Sequence, residues 1–307
     1  MTGLNNKKII ITGASGFVGT NLSKYLELHG YRVQSLSMRN PEWEGQMDYY
    51  ADAIIHLAGK AHDTKSKTDA SEYIKVNTEL TKELYNLFLK SEVKDFFYFS
   101  SVKAVADSVE GVLIENVVGK PITPYGQSKL QAEEYILSQS LPTRKRVFII
   151  RPCMIHGPGN KGNLNLLYSV VKKGIPWPLA AYDNERSFLS IENLSYLINE
   201  MLNNKTIKSG VYNFADDDTL STNELVSLIA LASGKKPRLW NINMNLINRL
   251  AKVGDKIKFP LNTERLDKLT DNYRVGNAKI KQALGIEKLP VSIEDGIVKT
   301  IKSFTER

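Results

Sequence analysis

The sequence predicts an α/β protein: a doubly wound parallel sheet with a smaller, mixed α/β part towards its C-terminal end. Three observations carry this. Short, near-continuous apolar runs alternate with stretches of helical periodicity through about residue 156, the pattern of a parallel sheet covered on both faces. A glycine-punctuated turn, "TGASGFVG", joins the first apolar run to the first helical stretch. After about residue 156 that rhythm gives way to a glycine-rich loop, proline-broken segments and amphipathic helices.

Taken in order, "KKIIITGASGFVGTNLSKYLELHG" reads as a buried strand from Lys8 to Thr12, a turn, and a helix to Gly30. "YRVQSLS" and "DAIIHLAG" are the second and third strands, and "SEYIKVNTELTKELYNLFLKSEV" has helical periodicity. "KDFFYFSS" is a further strand, followed by irregular chain to about residue 122, a helix in "TPYGQSKLQAEEYI", and the strand "RKRVFIIRP". Beyond "HGPGNKGN" come a helix in "LNLLYSVVKKG", the extended "IPWPLAAYDNERSF", then "SIENLSYLINEMLNN" and "SGVYNFADD", a helix and a strand that could return to the sheet. "STNELVSLIALASG" and "NINMNLINRLAKVGDKI" are amphipathic helices; the second could be imagined on a membrane surface, but packing on its own domain is the expectation. The expected division is a nucleotide-binding part over 1–156, rejoined by about 186–215, and a second part over 157–307, the two sharing a cleft.

Composition narrows the class. The chain has 307 residues, 42% hydrophobic and 24% charged, as in ordinary globular proteins. No apolar run approaches the ~20 residues that span a bilayer, and "MTGLNNKKIIITG" is no signal peptide, so a cytoplasmic protein without membrane insertion is expected. A single cysteine, Cys153, excludes an internal disulfide framework, and His29, His56, His62 and His156 show no metal-ligand spacing. The formal charge of +8 is scattered in small knots such as "TRKRVF" and "SGKKPR", which reads as a solvated basic surface rather than a nucleic-acid footprint. The same bias suits an anionic small molecule such as a diphosphate.

Three constellations carry chemistry. Gly13, Gly16 and Gly19 sit between strand and helix, where glycine permits a tight turn and lets the helix N-terminus face a pyrophosphate, as in a Rossmann fold. Ser100 and Ser101 fall at the carboxyl edge of the "DFFYF" strand, where open α/β sheets bind ligands. Tyr125 precedes Lys129 by one helical turn, so the two share a face. A phenol titrates near ~10 and needs a neighbouring positive charge to act as a base, which gives the pairing a physical logic.

With these motifs the chain resembles the extended short-chain dehydrogenase/reductase family of NAD-dependent epimerases and dehydratases that act on nucleotide sugars. The signatures run from residue 9 to about residue 215: "TGASGFVG", "DAIIHLAG", "VNTELT", "FSSVKAV", "PYGQSK", "RPCMIHGPG" and "RSFLSIENL". The nearest subgroup comprises bacterial UDP-sugar 4-epimerases and 4-keto-sugar reductases of surface-polysaccharide synthesis. The resemblance implies that Tyr125 exchanges a proton with the sugar hydroxyl at C4 while hydride moves between C4 and the nicotinamide. Lys129 would hold the nicotinamide ribose and lower the phenol's pKa, and Ser101 would hydrogen-bond the same sugar oxygen, with Ser100 as the alternate. Gly13, Ser15, Gly16, Phe17, Val18, Gly19, Leu57, Ala58 and Gly59 would line the cofactor, and Asn77 would tie strands together. For a UDP-sugar diphosphate the resemblance points to Arg186, with Asn163 and Lys161 as weaker candidates; a surface arginine in a loop is the competing reading. Trp177 lies where the family often cradles the base, although a core tryptophan is at least as good a reading. A homodimer through the Tyr125 helix and the preceding helix is common in the family.

The chain departs from the family's pattern in several places. His156 replaces a usual tyrosine and Met154 a common asparagine, which puts a substrate-phosphate contact in doubt; Ala104 and Val105 replace Val-Tyr. His62 could reach the cleft, but a solvated loop histidine is the better reading. Dehydratases usually carry Asp-Glu after the catalytic threonine, and Val102 and Lys103 stand here instead. The second strand ends without the carboxylate that grips the ribose of NAD, and Arg39 follows, which tilts the cofactor from NAD towards NADP. Only "MRNPEWEGQMDYYA" separates that strand from "DAIIHL", too little for another strand and a full helix, so a more open adenine pocket is expected. An open pocket and Arg39 favour a 4-keto-sugar reductase that releases NADP each cycle over a 4-epimerase that retains NAD. A non-catalytic NADP-binding sensor or scaffold is the competing class.

Overall fold

Ile9, Ile10 and Ile11 are fully buried, and they feed two different cores because successive side chains of a strand point to opposite faces. The computed structural model describes residues 6–60, 69–160, 162–257 and 262–305. Its strands in chain order are β1 (Lys8–Thr12), β2 (Arg32–Leu36), β3 (Ala53–His56), β4 (Asp95–Phe99), β5 (Val112–Leu113), β6 (Arg146–Pro152), β7 (Met154–His156), β8 (Arg186–Ser190), β9 (Gly210–Phe214), β10 (Thr219–Leu220) and β11 (Arg274–Val275). Six of them form one parallel sheet in the order β2-β1-β3-β4-β6-β9, so "SGVYNFADD" does return to it. β10, β8 and β7 form a small mixed sheet, and β11 pairs with β5.

On one face Ile9, Ile11, Phe97, Phe99 and Ile150 meet Leu22 and Leu26 of helix Phe17–Leu28 and Leu194, Leu197 and Met201 of helix Ile191–Asn203. On the other, Ile10, Ile54, Phe96 and Ile149 meet Leu84 and Phe88 of helix Leu80–Lys90 and Ala132 and Ile136 of helix Pro124–Ser138. Each such fully buried side chain contributes roughly 1.5–3 kcal/mol, which fixes the helices against the sheet. This is the doubly wound fold expected. A third apolar cluster, including Trp177, Phe188, Ile229, Ile247 and Ile297, binds the later helices to the small mixed sheet.

The short connection between β2 and β3 is resolved by a single 3₁₀ turn, Trp43–Gln46, in place of a crossover helix. Buried Trp43 and Met47 cover Ile10, Leu36 and Ile54, the apolar face a longer crossover would otherwise protect. Among the described residues no strand lies beyond β2, which is therefore an edge of the sheet. The helix expected around residues 71–93 runs as Ala70–Tyr73, a π-helical stretch Ile74–Glu79, and Leu80–Lys90. π stretches are rare and often sit at functional sites; this one carries Asn77.

Candidate active site

The glycine turn is built by contact distance. Gly13 adopts φ 70°, and a methyl on Gly19 would stand 2.3 Å from the Gly13 carbonyl oxygen and 2.6 Å from Ala14 Cα. The helix can thus begin directly against the strand only if residue 19 has no side chain. Gly16 caps that helix with no side-chain hydrogen bond, so no side chain of the cap satisfies the first-turn N–H groups; Ser15 and Gly16 are exposed, and Phe17 and Val18 part-buried. Leu57 and Ala58 back the turn: a methyl on Gly13 would lie 2.7 Å from the Ala58 nitrogen. We expect Gly19→Ala to force the turn open, lowering affinity for the dinucleotide about tenfold or more and lowering Tm, as titration calorimetry and thermal unfolding would read.

Helix Pro124–Ser138 starts where the sequence dictates, with Thr123 accepting from the Gly126 N–H at 3.2 Å and Pro124 opening the first turn. Gly126 allows close approach, since a methyl there would fall 2.3 Å from the Lys103 carbonyl oxygen. That approach brings the helix against the 3₁₀ turn Val102–Ala104, at whose head Ser101 hydrogen-bonds the Tyr125 phenol. Burial pushes the phenol above its ordinary value; the bond with Ser101 opposes this, and Tyr73, edge-on at 6.2 Å between ring centroids, adds to it. Lys129 is buried and donates to the Phe99 carbonyl at 2.8 Å, beside Gly59 and over the Tyr98 ring. Burial brings its ammonium down to about 8, with Glu133 opposing.

Asn77 clamps this arrangement. Its carbonyl oxygen accepts from the Lys60 N–H at 2.7 Å, and its amide donates to Ser128 Oγ at 3.0 Å, tying the chain after β3 to the Tyr125 helix. A separate buried chain runs from the Asn77 backbone carbonyl, distinct from the side-chain oxygen that takes the Lys60 N–H, through Thr81 to His56 and Thr12, whose hydroxyl accepts from the Ala58 N–H. Burial pushes His56 down to about 3, so it stays neutral in this role.

Ser100 and Ser101 are separated by their partners. Ser100 donates to the buried carboxylate of Glu133, which Arg151 grips from the neighbouring strand at 2.5–3.1 Å. Only Ser101 therefore meets the phenol. Glu133 and Arg151 were missed from the sequence; the available signal was that Glu133 lies one turn beyond Lys129, on the face that already carried Tyr125.

The remaining candidates separate by environment. Arg186 opens β8, is part-buried, and donates to the Lys268 carbonyl at 2.6 Å. Burial lowers its pKa while Asp271 and Tyr273 hold it up; Lys103, two residues past Ser101, lies over the Tyr273 ring at 4.2 Å and also feels Arg186. Arg186 thus borders the Ser101 turn through Lys103 and Tyr273. Asn163 opens helix Asn163–Lys172, while Lys161 and His62 lie outside the described residues. Trp177 is a core residue, 7% exposed and donating to Asn223 at 3.2 Å, so it does not offer a face to a base. His156 is likewise interior, bonded to Thr300 at 3.0 Å and 3.6 Å from Asp216, and fills space against helix Ile293–Thr305. Arg39 is exposed in the turn that follows β2.

A glycine turn, an uncapped helix N-terminus and a Ser–Tyr–Lys group at the carboxyl edge of one parallel sheet are the parts of a dinucleotide-binding α/β architecture. Residues 9–215 match the model of the NAD dependent epimerase/dehydratase family, and the chain belongs to that family. It is 29% identical to a UDP-glucose 4-epimerase of Vibrio cholerae, over 98% of this chain and 96% of the relative. It is 26% identical to the N-acetyl-alpha-D-glucosaminyl-diphospho-ditrans,octacis-undecaprenol 4-epimerase of Escherichia coli O157:H7, over 97% and 95%. Its fold matches the structure of RMD from Pseudomonas aeruginosa complexed with NADPH, with a TM-score of 0.76 at 21% identity over 98% and 100% of the two chains.

Proposed function

We propose that this chain is an NADPH-dependent reductase acting at the C4 carbonyl of a UDP-linked 4-keto sugar. The Ser101–Tyr125 hydrogen bond with Lys129 one turn below it at the sheet edge supports the proton-transfer chemistry. The observation that carries the reductase over an epimerase is Arg39 following β2 with no carboxylate at that strand's end. When bound, the nicotinamide supplies the hydride to C4. The turn from Gly13 to Gly19 holds the pyrophosphate, Leu57 to Gly59 border the cofactor, Lys129 holds its ribose, and Arg39 meets the 2′-phosphate. Tyr125 gives its proton to the C4 oxygen and Ser101 hydrogen-bonds that oxygen, so one carbonyl, one hydride and one proton become a C–H and an O–H. A phenol held protonated by burial is the form that can donate. Residues 157–307, with Arg186 at the border, hold the sugar diphosphate.

A second reading, a 4-epimerase that keeps its NAD, is favoured by the Vibrio cholerae and Escherichia coli relatives, both near full length and both named as 4-epimerases. The cofactor distinguishes the two. Protein purified without added nucleotide should release none on denaturation and should bind NADPH about tenfold or more tighter than NADH, with Arg39→Ala removing that preference. Stoichiometric NAD released from the protein would overturn the reductase.

The rate should also report Lys129. With its ammonium titrating at about 8 and the phenol above its ordinary value, kcat/KM for keto reduction should hold below that pH and fall as Lys129 loses its charge. A Lys129→Met variant should lose the alkaline limb along with most of the activity.

A further inference from the structure

Helix Met244–Ile257 shows two apolar stripes rather than one. Ile247, Ala251 and Gly254 face inward and are buried, and Ile247 and Ala251 join the third core cluster with Leu266. One residue out of step, Leu246, Leu250 and Val253 are 52%, 51% and 53% exposed. Positions i, i+4 and i+7 share a face, so these three make a continuous apolar ridge beside the packed one. On the far side of that ridge the helical period places Arg249 and Lys256, both exposed.

The charge of this helix and of the segment before it points one way, while the helix packed beside it, Thr263–Thr270, is balanced, with Glu264 and Asp267 exposed alongside Arg265 and Lys268. Between Leu231 and Ile257 the basic residues are Lys235, Lys236, Arg238, Arg249, Lys252 and Lys256, against one acid, Asp255. That acid is turned away to Thr263, whose N–H and hydroxyl it accepts at 3.0 and 2.6 Å. The segment leading into the helix carries Trp240, 53% exposed, and its Lys235, Lys236 and Arg238 border an open surface groove floored by Val171, Val226 and Ala230. An exposed apolar ridge edged by cations is the composition of a helix that lies in a bilayer interface, its apolar side chains at the acyl boundary and its cations at anionic headgroups.

We propose that the outer face of helix Met244–Ile257 docks this protein reversibly on the surface of an anionic membrane. No described helix is long and apolar enough to cross a bilayer, so the association is peripheral. The proposal stands apart from the enzymatic reading, because it concerns neither the sheet edge nor Tyr125.

Co-sedimentation with phosphatidylglycerol-rich vesicles tests it, with pure phosphatidylcholine vesicles as the comparison. The bound fraction should be about tenfold higher on the anionic vesicles and should fall as salt is raised. Leu246→Ser/Leu250→Ser should abolish binding, and Arg249→Gln/Lys256→Gln should remove its salt dependence while Tm is kept in both. No binding to anionic vesicles by the unaltered protein would overturn the proposal. A stable oligomer in light scattering that the leucine pair dissociates would overturn it too, because the ridge would then belong to a second copy.

Discussion

Tyr125→Phe is expected to lower kcat by about 10²–10⁴ while leaving the dinucleotide Kd within about twofold. The ring survives the substitution, so its edge contact with Tyr73 and the capped start of its helix are kept. What is lost is the O–H that Ser101 bonds and that the carbonyl oxygen would need as a proton source. Ser101→Ala should cost less, because it removes a hydrogen bond and not the proton. Single-turnover rates and fluorescence titration of the cofactor separate the two effects. Turnover that survives Tyr125→Phe would remove the phenol from the chemistry. A wild-type protein that binds NADPH and turns over no sugar would revive the scaffold reading.

Much of the site was legible because its signals are local. The spacing in "TGASGFVG" reports a steric condition within seven residues, and "TPYGQSK" carries its own cap, first-turn proline and helical phase. Contacts between distant segments were not legible. Ser100 and Ser101 are equivalent in sequence, and only Glu133 and Arg151, from another helix and strand, draw one of them away. The periodicity of "SEYIKVNTELTKEL" predicts helix without showing the π stretch, since one added residue per turn barely disturbs an apolar stripe. The missing crossover helix was legible from length, but its substitute, Trp43 and Met47 laid over the sheet, was not. Trp177 could face ligand or core until Asn223 and the strand-like bridge to Leu239 fixed it.

The Glu133–Arg151 pair is the place where fold and chemistry are hardest to separate, and it gives the second large effect. Both groups are nearly sealed from solvent, 1% and 6% exposed, so each is stable there only because of the other. Arg151→Met should strand the carboxylate with Ser100 as its partner and cost about 3–5 kcal/mol, lowering Tm by on the order of 10 °C. The double variant Glu133→Leu/Arg151→Met should recover most of the stability, as apolar replacements of buried pairs do. It should not recover the pH profile. Glu133 is the one charge that holds Lys129 up against its burial, so without it the ammonium should titrate below about 8 and the alkaline limb of kcat/KM should move to lower pH. A double variant with restored Tm and an unmoved limb would make the pair purely structural; a limb that shifts while Tm recovers would make Glu133 a positioning residue acting through Lys129.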